Sequence, residues 1–283
     1  MYEAHWKLSE RPFENRIDHR FYYPAETHQA ALLKLHYAIE NRRAAAVMCG
    51  PGGMGKSLLI DALQRQLPDA HRPFCHLVFP AMNGPQMVRY LVDRLAASEQ
   101  AEAAVAAGEP RDMASDLVAL ERMLRDNLKK GQHAVVVVDE AHLLEQYDLL
   151  EPLRLLLNLA AAGSGGESAW TLVLVGQPTL LSHVERYHAL DERLGVKCML
   201  NRFLPEETTA YIQHRLRSAG ADAEDIFEFD ALERIHSLTQ GIPRRINRLC
   251  DLALMVGYAE DRTRLSVDVI DNVHSDLATT AGP

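Results

Sequence analysis

Apolar positions fall into two rhythms along the chain. Short, largely apolar runs at Ala44–Cys49, Cys75–Phe79, Ala134–Val138, Ala169–Val175 and Val196–Leu200 read as strands, the first, third and fourth of them buried. Between them, apolar residues recur at helical spacing. This predicts helices over Glu26–Asn41, with Ala30, Leu33, Tyr37 and Ala38 on one side, and after Lys56, with Leu59, Ala62, Leu63 and Leu67 inward. Further helices are expected over Gly84–Ala97, Ala114–Lys130 and Gln146–Ala161, the last with a broad face of Leu149, Leu150, Leu153, Leu156, Leu157 and Ala160. An alanine- and glutamate-rich run at 99–107 ends at Gly108-Glu109-Pro110, and Gly163–Gly166 reads as a flexible exposed loop. Helices alternating with β-branched strands argue for a mostly parallel sheet covered on both faces. From residue 206 onward the pattern is helical only, at Glu206–Ala219, Asp230–Thr239, Arg244–Tyr258 and Val267–Val273, with Asn201–Pro205 as a hinge before it.

The first strand leads into Gly50-Pro51-Gly52-Gly53-Met54-Gly55-Lys56-Ser57, which matches the phosphate-binding pattern G-x-x-x-x-G-K-[ST] in full. Its glycines let the backbone curl until successive N–H groups and the first turn of the next helix converge on one anion. Lys56 supplies a mobile positive charge for β- and γ-phosphates, Ser57 a hydroxyl for Mg²⁺, and Leu58 is counted with Gly50–Ser57 among the nucleotide-binding positions.

The run Val135–Val138 ends in Asp139-Glu140-Ala141-His142. A buried strand fixes Asp139 where its carboxylate can hold Mg²⁺ through the metal's water shell, and Glu140 where it can polarise an attacking water. Solvated acids after a strand are the plainer alternative. Gln177 follows the strand ending at Val175 and is placed to hydrogen-bond a γ-phosphate or water, or else is only the turn residue before Pro178. His142 reads either as a structural residue or as a reporter of nucleotide state.

Net charge is −9 over 283 residues, which argues against a nucleic-acid surface spread over the whole chain. No apolar stretch nears the roughly 18 residues of a membrane span, and the start carries neither the basic segment nor the apolar run of an export signal. Cys49, Cys75, Cys198 and Cys250 are scattered without metal spacing, as suits reduced cytoplasmic thiols. Cys49 adjoins the phosphate loop and reads either as a small core residue or as an oxidation-sensitive one. The early aromatics Trp6, Phe13, Phe21, Tyr22, Tyr23 and Tyr37 either wall an adenine or cover a core. No base-recognition sequence of a GTPase follows the loop, and the chain is too short for the second RecA-like domain of a DEAH helicase.

With these motifs in order, the chain resembles the AAA+ ATPases, more narrowly the ATPase domain of ExeA/GspA-type proteins, related to transposition ATPases of the TniB and TnsC type. The residues that carry the likeness are Met1–Trp6, Pro12-Phe13-Glu14, Phe21–Pro24, Gly50–Ser57, Val135–His142, Val173–Pro178 and Gly241–Asn247. The resemblance implies a RecA-like α/β domain with strand order 5-1-4-3-2, at 44–203. It implies a small helical lid at 204–275, an N-terminal segment (1–43) packed on the core, and a flexible tail (276–283). It also implies ATP and Mg²⁺ as ligands, Gln177 as first sensor and Arg244 as second. Arg193 would be the finger reaching a neighbour's γ-phosphate, with Arg186 and Arg202 as contenders for that role and Arg245 as contender for the second sensor.

The partners so implied are further copies of the chain, in a hexameric ring or filament, and a protein partner in secretion or envelope assembly that could recruit it to the inner membrane. DNA is the alternative partner, as for the transposition relatives. A nucleotide-gated adaptor with little turnover and an inert scaffold are the remaining alternatives.

Overall fold

The computed structural model describes residues 1–98, 112–159, 168–221 and 226–280. The expected run at 99–107, its break at Gly108–Pro110, the Gly163–Gly166 loop and the last residues of the Gln146–Ala161 helix lie outside them. The elements are α1 (Glu26–Glu40), β1 (Ala45–Cys49), α2 (Lys56–Gln66), β2 (Phe74–Leu77), α3 (Gly84–Ser98), α4 (Met113–Lys129), β3 (Ala134–Val138), α5 (Leu150–Leu156), β4 (Trp170–Gly176), α6 (Thr179–Arg186), α7 (His188–Asp191), β5 (Leu194–Met199), α8 (Pro205–Ser218), α9 (Phe229–Thr239), α10 (Pro243–Ala259) and α11 (Val267–Thr280). They fall into a sheet unit (Gln29–Pro51 and Leu63–Leu200) and a helical unit (Met1–His28, Gly52–Ala62 and Asn201–Pro283).

In the sheet unit five strands lie in the order β2-β3-β4-β1-β5. Every pairing is parallel. Each position of β1, β3 and β4 is buried, as a strand covered on both faces requires, whereas the edge strands β2 and β5 alternate in exposure. Trp170, Leu172 and Leu174 of β4 join Val136, Val138, Leu91, Leu120 and Leu153 in one apolar cluster.

Three expectations are corrected here. The inward side of α1 is Ala31, Leu32, Leu35, Ala38 and Ile39, while Leu33 is 72% exposed and Tyr37 49% exposed. Tyr37 stands out under the guanidinium of Arg43, 6.0 Å from its ring centroid. β2 stops at Leu77, which pairs with Val138, the last residue of β3. Beyond it the β3 chain turns away at Glu140, whose φ is 49°, so Val78 and Phe79 find no ladder partner and are exposed. The expected helix from Gln146 is interrupted: a 3-10 helix, Ala141–Tyr147, ends at Asp148 with φ 52°, and α5 starts afresh at Leu150. Pro152 gives the reason, because it lacks the N–H that a continuous helix would bond to Asp148 and fits only a helix's first turn. The leucine face survives, with Leu149, Leu150, Leu153, Leu156 and Leu157 all buried.

In the helical unit, α8 to α11 share a core with the N-terminal aromatics. Tyr2, Trp6, Phe13 and Phe21 pack with Phe203, Tyr211, Leu249 and Ile270. Arg215 of α8 is the buried tie: its guanidinium donates to the carbonyls of Pro12 and Glu14 and to Tyr211 Oη, and lies 4.7 Å over the Phe21 ring. Residues 1–43 are thus divided, Met1–His28 grouping with the helices and Gln29 onward with the sheet. The last helix runs to Thr280, so 276–280 of the expected flexible tail are helical.

Candidate nucleotide site

The helical unit holds Gly52 to Ser57. Gly53 and Gly55 sit at φ +82° and +85°, the left-handed region that glycine enters without steric cost. α2 begins at Lys56, so the positive end of the helix dipole stands at the end of the loop. Lys56 and Met54 are buried, and Leu59, Ala62, Leu63 and Leu67 of the expected α2 face are buried too. Gly52 is exposed, while Ser57 and Leu58 are half-buried.

The turn Gly241-Ile242-Pro243 delivers α10 to the same loop. Arg244 donates its backbone N–H to the Gly53 carbonyl at 3.2 Å. A Cβ on Gly53 would stand 2.8 Å from Arg244 Cβ, so the approach requires glycine. Arg244, Arg245 and Arg248 are exposed, and none forms an ion pair among the described residues. Arg244 and Arg245 stand in the first turn of α10, where a cation without an anion is unfavourable by about 0.3–1 kcal/mol each, and Arg248 follows one turn later. A contact missed by sequence reasoning is His28, whose Nε2 lies 2.8 Å from the Met54 carbonyl oxygen. No motif spacing marks it, since it reads as one polar position near the start of a helix.

The sheet unit holds Gly50, Pro51, Asp139, Glu140, Gln177 and Arg193. Gly50 and Pro51 follow β1, and Gly50 donates to the Gly176 carbonyl at 3.1 Å. Asp139 is buried at the end of β3, and its Oδ1 accepts from the Glu140 amide at 2.8 Å. Its Oδ2 lies 3.7 Å from His76 Nε2 on the neighbouring strand. Glu140 is half-buried, with Oε2 3.4 Å from His142 Nδ1. Gln177 is exposed immediately after β4, and Arg193, half-buried, immediately before β5. Of the contenders, Arg186 is paired with Glu145 and Arg202 donates to Gln240 at 2.5 Å, whereas Arg193 forms no ion pair among the described residues.

Ser57 in the helical unit and Asp139 in the sheet unit each carry a hard oxygen donor, the kind that magnesium takes while keeping most of its waters. The four cysteines are buried thiols outside any disulfide, and burial pushes those of Cys75 and Cys198 up to about 11, so these two are poor nucleophiles. Among the described residues no helix is long and apolar enough to cross a membrane.

A parallel sheet in this order, with a complete phosphate loop after β1 and paired acids after β3, defines a P-loop nucleoside triphosphatase of the RecA-like α/β class. The family model of the AAA domain matches residues 39–184, and the chain belongs to that family of ATPases. It is 30% identical over 288 residues to general secretion pathway protein A of Aeromonas hydrophila, across 99% of this chain and 48% of that one. The chain therefore spans about half the length of that relative. Among solved structures, the Aeropyrum pernix ORC2 protein in its ADPNP–ADP complexes is similar at TM-score 0.71 and 17% identity, covering 95% of this chain and 71% of that one. Cdc6p from Pyrobaculum aerophilum is similar at TM-score 0.61 and 15% identity, covering 90% and 67%. At such identities these structures speak for the fold.

Proposed function

We propose that the protein is a Mg²⁺-dependent ATPase that works as an assembly of its own copies and remodels or regulates a protein partner in secretion or envelope assembly. The observation that carries the hydrolytic reading is the complete phosphate loop between β1 and α2, in a chain of the AAA family. Backbone amides of Gly52–Ser57 and the ammonium of Lys56 bind the β- and γ-phosphates. Ser57 and Asp139 would hold the metal. Bound magnesium would neutralise charge on the phosphate oxygens as the γ-phosphoryl group transfers. Glu140 polarises the attacking water, Gln177 orients it, and Arg244 draws α10 toward the γ-phosphate. Arg193 serves a neighbouring copy, because a head-to-tail contact can bring one subunit's arginine to another's nucleotide. The likeness to general secretion pathway protein A supports a partner in secretion, and a cytoplasmic location goes with that role.

Nucleotide binding and turnover, measured together, test this. Lys56→Ala should abolish most affinity for Mg·ATP. Glu140→Gln should bind normally and turn over at least a hundredfold more slowly, on the scale of about 10²–10⁴ for a lost general base. Unchanged affinity in the first or native turnover in the second would sink the assignment. Sizing in a non-hydrolysable analogue, with and without long duplex DNA, separates self-assembly from DNA-driven assembly.

A further inference from the structure

His28 is a side chain buried against the phosphate loop to which the mechanism above gives no task. It stands in the first turn of α1, 4% exposed, with Nε2 2.8 Å from the carbonyl oxygen of Met54. A carbonyl oxygen only accepts, so Nε2 carries the hydrogen and Nδ1 is left with a bare lone pair. Nδ1 is buried and has no hydrogen-bond partner among the described residues. The ring packs against Phe203, centroids 5.5 Å apart, and burial pushes its pKa below the ordinary value, which keeps it neutral.

The accepted bond falls on one peptide unit of the loop. Met54–Gly55 is a trans peptide, and in a trans peptide the carbonyl and the following N–H point in opposite directions across a rigid plane. Tying the Met54 oxygen to His28 therefore turns the Gly55 N–H the other way. Gly55 at φ +85° is free to swing if that tie is cut, since glycine has several backbone wells open to it. Met54 itself is wholly buried, so its carbonyl has no water to replace the imidazole.

We propose that His28 is a positioning residue for nucleotide binding, which fixes the Met54–Gly55 peptide so that the Gly55 amide is aimed at the bound phosphates. This rests on Gly50–Ser57 being the phosphate loop and adds a residue outside it that sets its geometry before nucleotide arrives.

Three substitutions test it. In His28→Gln the side-chain amide nitrogen reaches about as far as Nε2 and can donate to Met54; in His28→Asn it is too short, and His28→Ala donates nothing. Affinity for a fluorescent ATP analogue with Mg²⁺, the melting temperature without nucleotide, and KM and kcat for ATP are measured for each, with native protein and Lys56→Ala as references. The expected result is about a tenfold loss of affinity in Ala and Asn, the scale of one hydrogen bond, with Gln within about threefold of native. KM should change more than kcat. If Ala does not fold, the Gln and Asn pair carries the comparison. Native affinity in Asn or Ala, Gln no better than Asn, or affinity losses that merely track melting temperature would each overturn the positioning role. A native protein that binds no nucleotide, like Lys56→Ala, would overturn the phosphate loop itself and this role with it.

Discussion

The backbone amide of Arg244 donates to the carbonyl oxygen of Gly53 across 3.2 Å, and a Cβ on Gly53 would come within 2.8 Å of Arg244 Cβ. The helix that carries the arginines is thereby tied to the phosphate loop through its main chain. An arginine side chain at 244 remains free to turn toward an anion, because its backbone already holds its place.

Gly53→Ala should therefore be costly twice over. The left-handed backbone costs about 1–2 kcal/mol for a residue with a Cβ, and the new methyl must displace Arg244. Gly52→Ala is the control for stability, since a Cβ there meets nothing within 4 Å. Denaturant unfolding should show a loss of about 2 kcal/mol in the first and under about 0.5 in the second. Equal midpoints would refute the close approach.

Arg193 abuts β5 and forms no ion pair among the described residues, unlike Arg186. If it acts on a neighbour, then mixing Lys56→Ala, which keeps Arg193, with Arg193→Ala, which keeps the phosphate loop, should restore turnover that neither shows alone. Mixed assemblies no faster than the sum of their parts would assign the finger elsewhere.

Arg215 is the lock on the N-terminal segment. Arg215→Ala strands the Pro12 and Glu14 carbonyls and empties the space over Phe21, so stability should fall by about 3 kcal/mol. Limited proteolysis should then cut within residues 1–28 before any other part of the helical unit. Uniform digestion would contradict the lock.

His133 gives a pH dependence with a definite sign. Its Nε2 lies 2.8 Å from Thr171 Oγ1, whose own hydrogen goes to the Arg43 carbonyl at 2.7 Å, so the imidazole donates there. Burial pushes its pKa from 6.5 down to about 3. Above about 6.5 neither the folded nor the unfolded chain is protonated there, and the stabilisation is complete; as pH falls from 6.5 toward 3, only the unfolded chain takes up the proton, and stability is lost. His133→Gln keeps a donor to Thr171 and should flatten the fall in melting temperature over that window relative to native protein. Superimposable pH profiles would show that His133 does not contribute.

Strands, phosphate loop and paired acids were legible in the sequence because each obeys a local rule. A parallel strand buried on both faces must be continuously apolar, and a backbone that wraps phosphate must place glycines where φ turns positive. What only the tertiary structure decided are choices that local rules leave degenerate. On α1, the series through Leu33 and Tyr37 and the series through Leu32, Leu35 and Ile39 both satisfy the helical repeat, and packing alone buried the second. Adjacent Arg244 and Arg245 have the same chemistry, and sequence gives no sign that the backbone amide of the first is the one that meets the Gly53 carbonyl. Nothing in the neighbourhood of His28 along the chain points to Met54, twenty-six residues on, because a hydrogen bond between distant segments has no period and leaves no pattern in sequence.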